Sequence, residues 1–521
     1  MSAGAGLATT RRIRILIVNC YFPEIREAIR LPNEIPNALA PVLLAGAFAR
    51  ERCDIRLYNE VSDGFLEVFA PDLLEWPDLV VFTGLTAAFD RMLHLSAHLR
   101  TRNPKVVTVA GGHAIRALRG YARRFFDYVS TGDVEALRDI VADALGSAYV
   151  ADEMAPRYDL AGWMGRRMGY AESSRNCQFR CSYCSLTAAG RGYLAGSLDD
   201  LERQIVAMGR REVICFQDNQ FYGPDREFFV ARLELLKALR RAGRFRYWHA
   251  FVTDTFLWND ENLTLARESG CLSIFVGVES FDDAWLRGVN KAQNNRYRQV
   301  DLIRKCLDAG ILFQYGLVFD PTERTLADMQ RELSFICDTP ELPAPNFIFM
   351  AVPFPDTPFF HDRWARGLLL PGTRVRDLEG STLSLRPLDS VDDVARFIAT
   401  AKNLRGYAAR HLRRHARFVW RYRRSLAPAQ VLVSSVIVAS ILAPAPVSNP
   451  ATLFTRRRPR THVSTTDRLD PVYTPSRRVA AAFASHFRPT MITDAAGELN
   501  PELAGDLLAS RRPGRALVAD D

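Results

Sequence analysis

The feature that most constrains the fold is an alternation of short apolar runs with helical periodicity, which occurs twice along the chain and breaks once, at 148–168. Ile13-Arg14-Ile15-Leu16-Ile17-Val18 is a near-continuous β-branched run of the kind found in a strand buried on both faces. Helical spacing follows over Pro41–Ala49, then strands at Asp54–Tyr58 and Leu79–Phe82, a helix over about 88–102, strands at Val106–Ala110 and Asp127–Val129, and a helix over 134–145. Such alternation demands a parallel sheet covered on both faces. A doubly wound, Rossmann-like domain is therefore expected over 13–147, with ligands beyond the carboxyl ends of its strands.

After a linker containing Pro156 and a Gly/Met/Arg-rich run, the alternation resumes. Strands are expected at Gly169–Arg175, Val213–Gln217, Arg246–Val252, Ile274–Val278, Leu312–Phe319 and Asn346–Val352. Helices are expected at 198–210, 225–241, 261–269, 295–309 and 325–337, with Gly270 and Gly310 at helix ends, where a left-handed residue is wanted. Six βα repeats describe a (β/α)6 partial barrel over 169–385, whose active face lies at the strand carboxyl ends. From 386 to 521 the pattern becomes helical and irregular. Helices are expected at 391–401 and 478–486, the tail after 444 is expected to wrap the barrel mouth, and residues 1–12 and the last ten or so are expected to be disordered.

Composition sets the class. With 48% hydrophobic and 24% charged residues the chain is an ordinary globular protein. Its net charge of +9 is concentrated beyond residue 400, so it is a local feature and no nucleic-acid partner is expected. There, arginines at 405–424 interleave with Tyr407, Phe418, Trp420 and Tyr422, followed by the apolar run Val431–Leu442, too short for a bilayer core of about 30 Å. A solvated helix packing its aromatics inward is one reading; peripheral membrane contact through 405–442 is the other. Nine cysteines without paired spacings, and a start lacking the apolar core of a signal peptide, lead us to expect a reducing, cytoplasmic setting.

Three of those cysteines, Cys177, Cys181 and Cys184, fall within eight residues. Three thiolates from one loop fit a [4Fe-4S] cluster with one iron left open, because such clusters normally take four cysteines and no fourth is near. A trio of buried thiols and a zinc knob completed by a distant His remain as alternatives. The spacing, with aromatic Tyr183 before the third Cys, resembles the signature of the radical S-adenosylmethionine superfamily. Further motifs resemble that family's core in order and position. Gln217-Asp218-Asn219 ends the second strand, Gly277-Val278-Glu279-Ser280 the fourth, and Gly316-x-Val318-x-Asp320-x-x-Glu323 the fifth, with Asp320 where a second Gly is usual. Asn290-Lys291 and Pro353-x-Pro355-Asp356-Thr357-Pro358 resemble the cobalamin-associated class, Asp356 standing where Gly is usual. In the first domain the matching features are Thr83-x-x-Thr86, Gly111-Gly112 and Gly132-Asp133, while the Asp-x-His-x-x-Gly cobalt-ligand motif is absent.

The resemblance implies that Cys177, Cys181 and Cys184 hold the cluster and that Tyr183, Gln217, Asp218, Glu279, Ser280 and Glu323 face S-adenosylmethionine. It also implies that Thr83, Thr86, Gly111 and Gly112 cradle cobalamin, with neither His94 nor His113 on cobalt. The implied activity is C-methylation of an unactivated carbon in a small-molecule substrate, with electrons from an external donor such as flavodoxin or ferredoxin. A radical cyclase, ring-rearranging or oxidative enzyme is the alternative within the class. Outside it stands a metal-binding protein associated with RNA or membrane. Trp248, His249 and Phe251 are expected to face the barrel and set specificity.

Overall fold

The computed structural model describes residues 11–22, 39–162, 164–165, 167–380, 382–401, 408–442 and 473–509. The expectations for residues 1–10, for Arg405 and Tyr407, for 443–472 and for the last ten or so lie outside them. The chain forms two compact units.

The first unit is a five-stranded parallel sheet, ordered β2-β1-β3-β4-β5. Its strands are β1 (Ile13–Cys20), β2 (Cys53–Asn59), β3 (Leu79–Gly84), β4 (Val107–Gly111) and β5 (Tyr128–Ser130). Ile15 sits opposite both Ile55 and Leu79, so alternate side chains of the central strand stack with those of its neighbours. Ile15, Ile17, Leu79, Val81 and Val109 pack on one face against Phe48, Leu137 and Val141. The helix expected at Pro41–Ala49 is shorter, spanning Leu39–Leu44 and a single tight turn at Ala45–Ala47. Its end is pressed against the chain at 155, where a Cβ on Gly46 would meet the Ala155 carbonyl at 2.6 Å.

Helix Phe89–Arg102 is buried along every face from Phe89 to Leu99, because the far end of the chain covers it. The turn Ala481–Phe487 lies along this helix. The His94 ring stacks on Phe487 at 4.6 Å, and the Tyr473 hydroxyl donates to Asp90 at 2.9 Å. Of the described tail, then, 473–489 belongs to the first unit and 490–509 to the second.

The second unit carries β6 (Met168–Ala171), β7 (Ser174–Arg175), β8 (Leu194–Ala195), β9 (Arg211–Phe216), β10 (Phe245–Val252), β11 (Cys271–Glu279), β12 (Leu312–Phe319) and β13 (Ile348–Met350). Six form a parallel half-barrel sheet, ordered β13-β12-β11-β10-β9-β6. The strand expected at Gly169–Arg175 is split, and its second half pairs antiparallel with β8. The break has a local cause: Asp218 accepts the Ser173 N–H at 2.9 Å and its hydroxyl at 2.7 Å, drawing the chain off the sheet. Two short helices, Asp283–Gly288 and Pro358–Ala365, lie between the expected elements. Trp248 does not face the barrel interior; its indole donates to Ser269 on helix Asp260–Ser269 at 3.1 Å, so the opposite face, with Tyr247, His249 and Phe251, lines the lumen.

In the basic helix Ala408–Tyr422, His411, Arg414, Phe418 and Tyr422 recur at helical spacing and are buried. Helix Pro428–Leu442 is anchored by Gln430, whose amide donates to the Leu272 and Gly310 carbonyls, each at 2.8 Å. Among the described residues no helix is long and apolar enough to cross a membrane.

Candidate active site

The cysteine loop is fixed at both ends. Upstream, Asp218 is buried, accepts from both Ser173 groups and the Ser174 hydroxyl, and faces Arg232 at 3.4 Å. Asn176, just before Cys177, takes a left-handed φ of +61°, which Asn tolerates better than most residues, and its N–H donates to Asn219 at 3.1 Å. Downstream, the Ser182 N–H donates to the Val289 carbonyl at 3.0 Å and the Asn290 amide to the Arg180 carbonyl at 2.7 Å. The loop is thus shaped by groups from β9 and from the segment after helix Asp283–Gly288.

Each thiol has an N–H aimed at it. Backbone N–H groups of Phe179 and Leu186 serve Cys177 and Cys184, and the Gln293 amide lies 3.7 Å from the Cys181 sulfur. Burial, and then the neighbouring thiols, push the Cys177 and Cys184 thiols up. Metal ligation reverses that, since the thiolate is the ligand and N–H donors stabilise it. Among the described residues no three His, Cys, Asp or Glu side chains stand close enough to hold a single ion. Three thiols from one short loop, each met by an N–H, are the kind of donor set an iron–sulfur cluster takes.

Glu279 rises beside the loop at the end of β11, after a shift of strand register and with a φ of +62°, a strained value for Glu. Lys291 donates to its Oε1 at 2.7 Å and to the Tyr183 hydroxyl at 3.1 Å, and that hydroxyl donates to the same Oε1 at 3.2 Å. Burial works against the Lys291 charge, but Glu279 outweighs it and holds the ammonium above its ordinary range. Burial, reinforced by Glu279, keeps Tyr183 protonated. A Cβ on Gly277 would stand 2.6 Å from the Glu279 carboxylate and 2.7 Å from the Lys291 ammonium, so a larger residue there would displace this pair. Tyr183 also stacks on Trp285, ring centres 6.3 Å apart.

Other expected residues are committed to protein partners. Ser280 is fully buried; its hydroxyl donates to Glu332 at 2.8 Å and accepts from Arg324 at 3.1 Å. Glu323 pairs with Arg366 at 2.6 Å on the surface. The Gln217 amide lies 3.6 Å from the Cys215 sulfur. Asp320, where Gly is usual, is a buried acceptor that joins Trp285 at 3.2 Å, Arg363 at 2.9 Å and Thr322. Asp356, the other Gly replacement, keeps the glycine conformation with φ +65°. Sequence reasoning missed Gln293, Trp285 and Asp254. Asp254 is buried after β10, is bonded by Gln299, and is pushed up to about 7 by burial, with Gln299 and Lys291 opposing. None belongs to a readable motif.

In the first unit Thr83 and Gly111-Gly112 lie at the carboxyl ends of β3 and β4, and Thr86 starts the turn after β3. This is the edge beside the β1/β3 switch point, where doubly wound sheets bind ligands. Gly112 has φ +117°, and a Cβ there would meet the Gly84 carbonyl at 3.1 Å, so glycine brings the two strand ends together. Both threonines are 9% exposed. The edge offers hydroxyls and close backbone, as a bulky amide-rimmed ligand requires. Of the two histidines considered, His94 is packed under Phe487 and His113 is exposed, so the packing keeps His94 out of this edge. Deeper in the unit, Arg91 bridges Glu60 and Glu67 with every partner at most 2% exposed.

Residues 172–333 match the family model described as the Radical SAM superfamily. The chain is 23% identical over 384 residues to a hopanoid C-3 methylase of Methylococcus capsulatus, covering 66% of this chain and 72% of that one. It is 24% identical over 196 residues to a bacteriochlorophyllide d C-12(1)-methyltransferase of Chlorobaculum tepidum, covering 36% of this chain and 41% of the relative. Among solved structures, the cobalamin-dependent S-adenosylmethionine radical enzyme OxsB, with aqua-cobalamin and S-adenosylmethionine bound, superposes with a TM-score of 0.57 at 13% identity, covering 83% of this chain and 75% of that one.

Proposed function

We propose, for a chain that belongs to the Radical SAM superfamily, that the protein is a cobalamin-dependent C-methyltransferase acting on an unactivated carbon of a small molecule. The observation that carries the reading is the cysteine trio, each thiol met by an N–H, beside the Tyr183–Lys291–Glu279 rim at the carboxyl end of a parallel half-barrel. The C-methylase and C-methyltransferase relatives, and a doubly wound unit ahead of the barrel, support methyl transfer. When bound, the cluster and S-adenosylmethionine supply one-electron carbon–sulfur cleavage and cobalamin a transferable methyl group.

The chain's own residues hold and shield these groups. Cys177, Cys181 and Cys184 ligate iron, and the Gln293 amide tempers the charge on one thiolate. Lys291 and Tyr183 both engage Glu279 Oε1, which leaves Oε2 as the oxygen that would accept from an amino or hydroxyl group of S-adenosylmethionine. Gln217 adds an amide at the end of β9. Asp218 and Ser280 act by position, the first fixing the cysteine loop and the second tying β11 to Arg324 and Glu332. Glu323 holds the segment after β12 through Arg366. Thr83, Thr86, Gly111 and Gly112 face cobalamin. Electrons come from an external donor such as flavodoxin or ferredoxin, in a reducing cytoplasm that suits nine unpaired cysteines.

Cys181→Ala is expected to abolish both the iron–sulfur absorbance and the formation of 5′-deoxyadenosine in anaerobically reconstituted protein; retention of both would sink the assignment. Cobalamin content of the anaerobically purified chain tests the first unit. Methyl-labelled S-adenosylmethionine then separates methyl transfer, which places label in product, from a radical cyclisation or oxidation, which does not.

A further inference from the structure

The lumen wall continues inward from the rim and is not explained by cofactor binding. Phe251 faces Phe275 across β10 and β11 at 5.5 Å, Phe275 stacks with Phe347 at 5.5 Å, and Phe347 stacks with Phe349 at 4.1 Å. All four are half-buried on the side of the sheet away from the helices. Gly316 makes room for this ladder, since a Cβ on it would lie 2.2 Å from the Phe347 ring. Toward the amino ends of the strands the wall turns polar. His249 Nδ1 meets the Ser273 carbonyl at 3.1 Å and its hydroxyl at 2.9 Å, Gln314 donates to that hydroxyl at 3.0 Å, and Asn346 donates to Gln314 at 2.9 Å.

Two of these polar groups retain an acceptor site, His249 Nε2 on the floor and the buried Asn346 Oδ1, which has no hydrogen-bond partner among the described residues. With Nδ1 donating to the Ser273 carbonyl rather than accepting from the Ser273 hydroxyl, Nε2 presents a lone pair. Burial, with the Ser273 bond opposing, lowers His249 to about 4, so the ring is neutral and the floor offers no positive charge to an anion. At the rim the charged pair Glu279 and Lys291 is self-paired. Six residues of β11 separate Ser273 from Glu279, about 20 Å of strand.

We infer that the lumen receives an extended, largely apolar, ring-bearing substrate whose far end carries an uncharged hydroxyl or N–H donor, accepted by His249 Nε2, with the rings held by Phe251, Phe275, Phe347 and Phe349. This deepens the preceding proposal and rests on its placing the reaction at the rim; it makes His249 a specificity residue rather than a base.

The test is fluorescence titration of the anaerobically reconstituted full chain with 1-pyrenemethanol, its methyl ether and 1-pyrenecarboxylate. The alcohol is expected to bind saturably and about fivefold tighter than the ether, the scale of one neutral hydrogen bond, with the carboxylate weakest. His249→Phe is expected to erase the alcohol–ether difference. Phe275→Ala is expected to weaken both by about threefold or more. Equal affinities for alcohol and ether, tightest binding of the carboxylate, or no saturable binding overturns the inference. Should either variant fail to fold, the ranking of the three probes on the unaltered chain decides. The titration needs no turnover, so methyl-label transfer and cobalamin content report separately on the underlying reading.

Discussion

Glu279 shows how a single residue collects several constraints. Its positive φ, the register shift before it and the glycine two residues earlier all turn one carboxylate toward Lys291 and Tyr183. A rare backbone state that surrounding structure enforces is a mark of function. Glu279→Gln removes the charge but keeps the shape, and its affinity for S-adenosylmethionine is expected to fall about tenfold at unchanged iron content, measured by equilibrium dialysis. An unchanged affinity removes Glu279 from the ligand's first contacts. Asp254 offers a pH prediction. Its folded value near 7 stands above the ordinary 3.8, so between those values the folded chain binds more protons than the unfolded one, and the fold is increasingly penalised as pH rises from about 4 to about 7. Asp254→Asn removes the penalty: the variant should match the parent at pH 4 and exceed it at pH 8 by up to the order of 4 kcal/mol, read by denaturant titration. Glu279's position was legible, as a carboxylate at a strand end. Asp254's was not, because burial alone distinguishes it from any other loop carboxylate.

At the scale of elements, the sequence spoke clearly wherever hydrophobic periodicity was continuous. β1, β10 and β12 lie close to their expected bounds, because strands covered on both faces read as long apolar runs. It misled where one side chain overrides the pattern. Ser173 looks like part of a strand, but Asp218, distant in sequence, captures its N–H. Tryptophan at 248 and histidine at 249 were equally plausible lumen residues; strand alternation lets only one of two neighbours face inward, and the parity was set by packing on Ser269. Phe347 was unremarkable in sequence until Gly316 proved to lie beneath its ring. Gly316→Ala should cost about 1–3 kcal/mol by overpacking, measured as a fall in unfolding midpoint, and Phe347→Leu in the same chain should recover part of it. Additive losses would mean that the two positions do not touch.

On the scale of the whole molecule, the first unit depends on a buried charge cluster and on the end of the chain. Arg91 neutralises Glu60 and Glu67 out of contact with water, and Ser476, from the tail, also bonds Glu67. Burial opposes ionisation of Glu67, but Arg91 prevails and holds its carboxyl below the usual range. Arg91→Met leaves two carboxylates facing each other in the core and should cost about 3–5 kcal/mol in chemical denaturation, while the iron content of the second unit is retained. None of this was foreseeable from composition: Glu60, Glu67 and Arg91 form no motif, and Tyr473–Arg488 read as a cover for the barrel. The return of that segment has a consequence for biogenesis. A ribosome that has finished Leu160 has released every strand of the first sheet, yet helix Phe89–Arg102 lacks its cover until residue 487 emerges, over 300 residues and about 15–70 s later at ordinary translation rates. Throughout that interval Asp90, His94 and His98 belong to a surface that chaperones can read, so maturation of the first unit is timed by synthesis of the last segment.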